Sequence, residues 1–385
     1  MVELTKRKVG SYMSSRYKLF RHPHPYAIDQ TQPLFVRAIK ENAVFHYKNC
    51  PDYCRILDEK AFDPQSIRTD QDLIRLPFIP TLYFKHHNLA SIPENKMPIK
   101  ATSSGTSGKV SKIGLDWSSL YLGFWMVWHL GHYHHLWSLK PVHYLIFGYQ
   151  PTKKNRTAIS KTAYGFTYFA PALSRTYALE WKNGSYQLNL EAMKKAFIKY
   201  EKGRFPIRTI GFPAYTYFLL KSMQEEGLHL HMPKGSKITV GGGWKNFQHD
   251  QVDKTVFYAL VKDVLDIDEN HIIEFYGAVE HPILYTTCQH HHFHIPIYSR
   301  VIIRHPDTFE EVPSGQIGLV NLLTPMLNSN PILSVMTDDL GILHQEPCAC
   351  GIKSPWLEIV NRVGIKDIIT CAVGAQEYLK KSVRL

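Results

Sequence analysis

Several absences narrow the reading of this chain before any motif is considered. Six cysteines (Cys50, Cys54, Cys288, Cys348, Cys350 and Cys371) in 385 residues are too few for a disulfide framework. The longest aromatic stretch, 120–130, is too short to cross a bilayer and soon meets histidines. Lys6, Arg7 and Lys8 are not followed by the apolar segment of a secretory leader. There is no internal repeat, no low-complexity tract and no long Lys/Arg block, although the formal net charge is +12. Basic residues scattered in this way favour acidic small ligands over a nucleic-acid face. With 44% hydrophobic and 20% charged residues, the chain can bury a large core. The expectation is a soluble cytoplasmic protein with neither nucleic acid nor membrane as partner.

The strongest positive signal is Ser103-Ser104-Gly105-Thr106-Ser107-Gly108-Lys109. Glycines let backbone N–H groups approach a polyphosphate, hydroxyls donate to its oxygens, and Lys109 adds a compact positive charge. The stretch lacks Walker spacing, and no hydroxyl residue directly follows the lysine, which disfavours a P-loop NTPase.

Up to about residue 100 the chain reads as helical and connective, a lid or platform outside the reaction centre, with a helical pattern over 34–57 interrupted at Pro51. Beyond Pro141, apolar runs alternate with amphipathic segments: 142–149, a helix from 190 capped by Asn189, 207–212, a helix over 214–226, 237–240, a helix over 250–265 and 272–276. Within the last helix, Val252, Val256, Leu260 and Val264 are assigned to one buried face. This alternation predicts a largely parallel sheet covered on both sides, with ligands at the carboxyl ends of its strands. Short strands separated by turns such as Pro313-Ser314-Gly315 follow from 284 to 343.

Two glycine-bearing turns should fall at those strand ends: Gly241-Gly242-Gly243 before Trp244, and Tyr276-Gly277 leading to Glu280. Tyr276 offers a stacking face, and Glu280 suits a Mg²⁺ ion bridging phosphates. Asp339, after an apolar strand, could accept both ribose hydroxyls. Cys288 and His294 on one loop and Cys348 and Cys350 on another supply four soft or borderline ligands, which suits structural Zn²⁺. Ordinary turns and core thiols are the plain alternatives to these readings.

In their order along the chain, these elements resemble the adenylate-forming superfamily. Ser103 to Lys109 is similar to its phosphate loop, Tyr276-Gly277-Ala278-Val279-Glu280 to its Y-G-x-x-E element, and Thr337-Asp338-Asp339 to its ribose-binding segment. Leu76 to Thr81 before Phe84-Lys85, Gly241 to Lys245, and Asn361-Arg362-Val363 ahead of Cys371 narrow the resemblance to the acyl-protein synthetases, the long-chain-fatty-acid–luciferin-component ligases, which are related to phenylacetate-CoA ligase. The implied fold is α/β: an adenylate-forming large domain with a β-rich subdomain and a truncated C-terminal region. Its expected parts are a helical N-terminal portion (1–100), an α/β nucleotide-binding core (101–283), the β-rich subdomain (284–360), and a hinge with a short tail (361–385).

The resemblance also implies a reaction. A carboxylic acid, in this family a fatty acid, would be activated with ATP and Mg²⁺ as acyl-AMP and then transferred to a cysteine thiol. Lys109, Glu280 and Cys371 are the implied catalytic residues, with Asp339 and Arg362 on the ribose. Phe147, Phe212, Tyr215 and Trp244 are candidates for an acyl channel, and an acyl-reductase or acyl-acceptor protein is the implied partner. The superfamily's C-terminal catalytic lysine has no assignable counterpart here. Zinc rests on C-x-C-G elements like those of phenylacetate-CoA ligase-like proteins, because the bioluminescence synthetases lack the second cysteine pair. An acyl- or aryl-CoA ligase and a non-catalytic nucleotide-binding scaffold remain as alternatives.

Overall fold

Val142–Tyr149 is an interior strand of a seven-stranded sheet whose order is His281–Thr286, Ile272–Ala278, Ile238–Gly241, Ile207–Gly211, Val142–Tyr149, Ala172–Lys182, Ser185–Leu188. The computed structural model describes residues 14–103, 110–152, 155 and 157–362. Ser104, Gly105, Thr106, Ser107, Gly108, Lys109 and Cys371 lie outside the described residues.

The five middle strands run parallel, and each edge is closed by an antiparallel strand. Side chains alternate across the sheet, as a strand period of two requires. Leu145 and Phe147 pack with Phe197, Leu219, Leu220, Val261 and Val264 from the helices Leu190–Glu201, Pro213–Glu225 and Lys254–Leu265. Tyr144 and Ile146 face the other way, onto Phe166, Phe169, Ile210 and Ile273. Each such burial contributes roughly 1.5–3 kcal/mol relative to exposure, so covering both faces fixes the sheet firmly.

Local signals set the helix starts. The Asn189 side chain accepts the N–H of Ala192, and the Asp253 side chain accepts that of Thr255. The last helix begins at Lys254 and buries a face that includes Phe257, Leu260, Val261, Val264 and Leu265, with Leu260 and Val264 as read from sequence. Val256, assigned from sequence to that face, is instead 50% exposed.

A six-stranded sheet packs with the N-terminal helices around a second core. Phe293–His294, Trp356–Arg362, Ser334–His344, Ile317–Leu323 and Arg300–Arg304 follow one another as antiparallel neighbours. Ile79–Pro80 joins Ser334–His344 in parallel, pairing with Val335 and Met336. The ladder breaks directly after those two residues. Leu319 pairs with Leu340 and Asn321 with Met336, so Thr337, Asp338 and Asp339 stand opposite Val320 alone. This bulge takes Asp338 and Asp339 out of register with Ile317–Leu323, a common way to aim side chains at a site.

Candidate active site

The bulge faces the carboxyl end of Ile272–Ala278. The Tyr276 hydroxyl donates to Asp339 Oδ2 at 2.8 Å and so connects the two large sheets. Burial, and then the neighbouring Asp339 carboxylate, hold the phenol well above its usual range, so it stays a donor. Thr81, just after Ile79–Pro80, donates its hydroxyl to Asp338 Oδ1 at 2.8 Å. Thr337 Oγ1 donates to the Val320 carbonyl and accepts the N–H of Asp339, which fixes the bulge from within.

Glu280 sits in the turn between Ile272–Ala278 and His281–Thr286 and is 5% exposed. Burial raises its carboxyl above the usual range, and Asp338 pushes it further up. The Ser111 hydroxyl, its own backbone N–H and Lys85 act in the opposite direction. Lys85 comes from the helix Thr81–His86. The N-terminal hundred residues, read from sequence as lying outside the reaction centre, therefore place Thr81 beside Asp338 and Lys85 near Glu280. Sequence separations of roughly two hundred residues or more hid this, because no local pattern reports them.

Ser111, whose hydroxyl lies near Glu280, closes the far side of the glycine- and serine-rich stretch. Ile99–Thr102 and Lys112–Leu115 form an antiparallel hairpin, with Thr102 opposite Lys112. The Ser103 N–H donates to the Ser111 carbonyl at 3.2 Å, and the Ser111 N–H donates to Ser103 Oγ at 3.0 Å. These reciprocal bonds close the hairpin loop at its base, next to the buried carboxyl. The base of the glycine- and serine-rich stretch, the Tyr276–Glu280 turn and the aspartate bulge are thus brought near one another.

Gly241, Gly242 and Gly243 follow Ile238–Gly241, whose neighbour is Ile272–Ala278. Gly242 and Gly243 have φ of +84° and +68°, the left-handed region that disfavours a side chain. Gly277 lies in the Tyr276 strand, where an added Cβ would come within 3.0 Å of the Ile283 carbonyl. Arg362 stands opposite Asp339 in the ladder.

Of the proposed acyl-channel residues, Phe212 and Trp244 are buried, and Tyr215 is half-buried. Ring centroids run from Phe212 to Tyr215 at 5.9 Å, to Phe247 at 5.8 Å, to Phe218 at 5.1 Å and to Trp244 at 6.3 Å. These rings form one aromatic wall beside the strand ends. Phe147 does not join it: the side chain is fully buried under the helices with Phe197, a core position. Phe218 and Phe247 were missed because neither belongs to a motif, although Phe218 lies three residues from Tyr215 on one helix face.

The four metal-ligand candidates also come together. The ligand atoms of Cys288, His294, Cys348 and Cys350 all lie within 4.8 Å of one another. Among the described residues, no helix is long and apolar enough to cross a membrane.

The chain is similar to known proteins along most of its length. A family model described as "Acyl-protein synthetase, LuxE" matches residues 13–380. The chain is 23% identical over 377 residues to a Long-chain-fatty-acid–luciferin-component ligase of Aliivibrio fischeri, covering 94% of this chain and 93% of that protein. It is 23% identical over 323 residues to a Phenylacetate-coenzyme A ligase of Thermus thermophilus, covering 81% and 66%. Among solved structures, 2-Hydroxyisobutyryl-CoA Ligase in complex with 2-HIB-AMP superposes with a TM-score of 0.65 at 13% identity, covering 94% of this chain and 74% of that one. The fold is therefore that of the adenylate-forming ligases.

Proposed function

The chain belongs to the acyl-protein synthetase family, and from that premise we propose that it activates a fatty acid with ATP and passes the acyl group to a protein thiol. The observation that carries the reading is the convergence of Ser111, the Tyr276–Glu280 turn and Asp339 from three separated segments, with Tyr276 bonded to Asp339 at 2.8 Å.

A carboxylate oxygen of the acid attacks the α-phosphorus of ATP. A phosphorus–oxygen bond forms, the bond to the β-phosphate breaks, and acyl-AMP and pyrophosphate result. Lys109 and the N–H groups of the 103–109 stretch hold the phosphate oxygens as charge shifts onto the leaving pyrophosphate. Asp339, held in place by Tyr276, accepts the ribose hydroxyls, with Arg362 beside it. The fatty tail lies along the wall of Phe212, Tyr215 and Trp244, which excludes water from the mixed anhydride.

Glu280 fits a hard divalent cation, because it is a buried carboxyl whose charged form is disfavoured until a positive partner arrives. Mg²⁺ bound there would neutralise phosphate charge. In the second step a Cys371 thiolate attacks the acyl carbonyl, AMP leaves with the C–O bond electrons, and a thioester remains; the thiol proton goes to solvent or base. A thioester is reactive enough to hand its acyl group to an acyl-reductase or acyl-acceptor partner. A panel of carboxylic acids scored for ATP–pyrophosphate exchange tests the first step. Exchange that rises with fatty chain length supports it, whereas no exchange with any acid points to a nucleotide-binding scaffold.

A further inference from the structure

We propose that Cys288, His294, Cys348 and Cys350 bind one zinc ion that fastens the seven-stranded sheet to the six-stranded one; this does not rest on the acyl-transfer reading. Cys288 Sγ lies 3.8 Å from Cys348 Sγ, and Cys350 Sγ lies 3.2 Å from His294 Nε2. A tetrahedral zinc with sulfur arms of about 2.3 Å has S–S edges of about 3.8 Å, so the Cys288 and Cys348 sulfurs already stand at the spacing the ion requires. They are too far apart to be disulfide-bonded, and these cysteines are free.

The surroundings are built for anionic sulfur and a neutral imidazole. His294 Nδ1 faces the Ser354 carbonyl at 3.0 Å, which puts the ring proton there and leaves the Nε2 lone pair directed at the cluster. Backbone N–H groups of His290, Cys350 and Ile352 point at the sulfurs of Cys288, Cys348 and Cys350, at 3.4, 3.5 and 3.4 Å. His292 Nδ1 lies 3.3 Å from Cys348 Sγ, its ring held flat on Trp356 at a centroid separation of 3.7 Å. Three thiolates and an imidazole select zinc over magnesium or calcium by softness.

The position explains what the ion would do. Cys288 follows His281–Thr286, the edge strand of the seven-stranded sheet that begins directly after Glu280. Cys348 and Cys350 lie in the connection between Ser334–His344 and Trp356–Arg362, the hairpin whose far end pairs Asp339 with Arg362. An ion joining these segments fixes the strand that carries Asp339 relative to the turn that carries Glu280.

The test uses the full chain purified without an immobilised-metal column. After dialysis against buffer lacking chelator, elemental analysis should find about one zinc per chain, and below about a tenth in a Cys348→Ser/Cys350→Ser variant. Cys288, Cys348 and Cys350 should resist alkylation until a strong chelator is added. Chelation should lower the melting temperature. Replacement by Co²⁺ should give the intense visible absorption of tetrahedral thiolate coordination, which keeps the test decisive if the double variant does not fold. Folded wild-type protein that neither contains nor takes up Zn²⁺ overturns the proposal, as does a Cys288–Cys348 disulfide in its peptide map.

Discussion

Tyr276 and Asp339, 63 residues apart in sequence, share a 2.8 Å hydrogen bond that runs from the parallel sheet to the bulge of the antiparallel one. The bond fixes the orientation of the Asp339 carboxylate. Tyr276→Phe should keep the fold and lower kcat/KM for ATP by roughly ten- to a hundredfold, the worth of one hydrogen bond to a charged group. Asp339→Ala should lose more, because it removes the ribose contact itself. Pyrophosphate exchange at varied ATP concentration measures both; an unaltered Tyr276→Phe enzyme would remove the bond from the account.

Glu280 links catalysis to stability with opposite signs. Its folded-state pKa is raised, so the stability it contributes is present while it is protonated and is lost as pH rises through that raised value. Glu280→Gln should therefore melt no lower than wild type at neutral pH, while exchange falls by roughly a hundredfold or more. Calorimetry and exchange on one preparation check the pair of signs. A clear loss of melting temperature in the Gln variant would show that the carboxylate is structural.

The neighbours of Glu280 should move the acid limb of the exchange pH profile in opposite directions. Asp338 raises the carboxyl and Lys85 lowers it. Asp338→Asn should shift the limb to lower pH, and Lys85→Met should shift it to higher pH. Equal shifts of one sign would mean that the limb reports another group.

The aromatic wall should set the preferred acid. Tyr215→Ala opens space beside Phe212 and Phe247, so longer acids should gain relative to shorter ones. Each further methylene buried is worth about 0.8 kcal/mol, roughly fourfold in kcat/KM. Trp244→Ala should shift preference likewise but with lower stability, because that ring is nearly fully buried. A chain-length profile unchanged in both variants would place the acyl tail elsewhere.

How much of this was legible depended on whether the signal was local. The strand Val142–Tyr149 and the Asn189 cap could be read because an apolar run and a side-chain cap are written in adjacent residues. The ligand atoms of the four metal-ligand candidates lie within 4.8 Å of one another, and the paired Cys and His spacings that single them out need no knowledge of the fold. Ala172–Lys182 was missed, since its partly exposed residues form no apolar run. Its turn was nonetheless written in Asn183-Gly184, both at positive φ, a hairpin signal that would have revealed the strand pair. Thr81 and Lys85 could not be assigned roles, because their partners Asp338 and Glu280 are brought near only by the parallel pairing of Ile79–Pro80 with Ser334–His344.

The central claim is that this protein forms acyl-AMP and then acylates itself on Cys371. Wild-type protein and Cys371→Ser should be incubated with ATP, Mg²⁺ and a labelled fatty acid, with and without CoA, and then digested for peptide mapping by mass spectrometry. A hydroxylamine-sensitive acyl label is expected on Cys371 in the wild type. The variant should make acyl-AMP at the wild-type rate and retain no label, since a serine hydroxyl is a far poorer nucleophile than a thiolate. A wild-type Cys371 that stays unlabelled while CoA captures the acyl group would contradict the account and make the protein an acyl-CoA ligase.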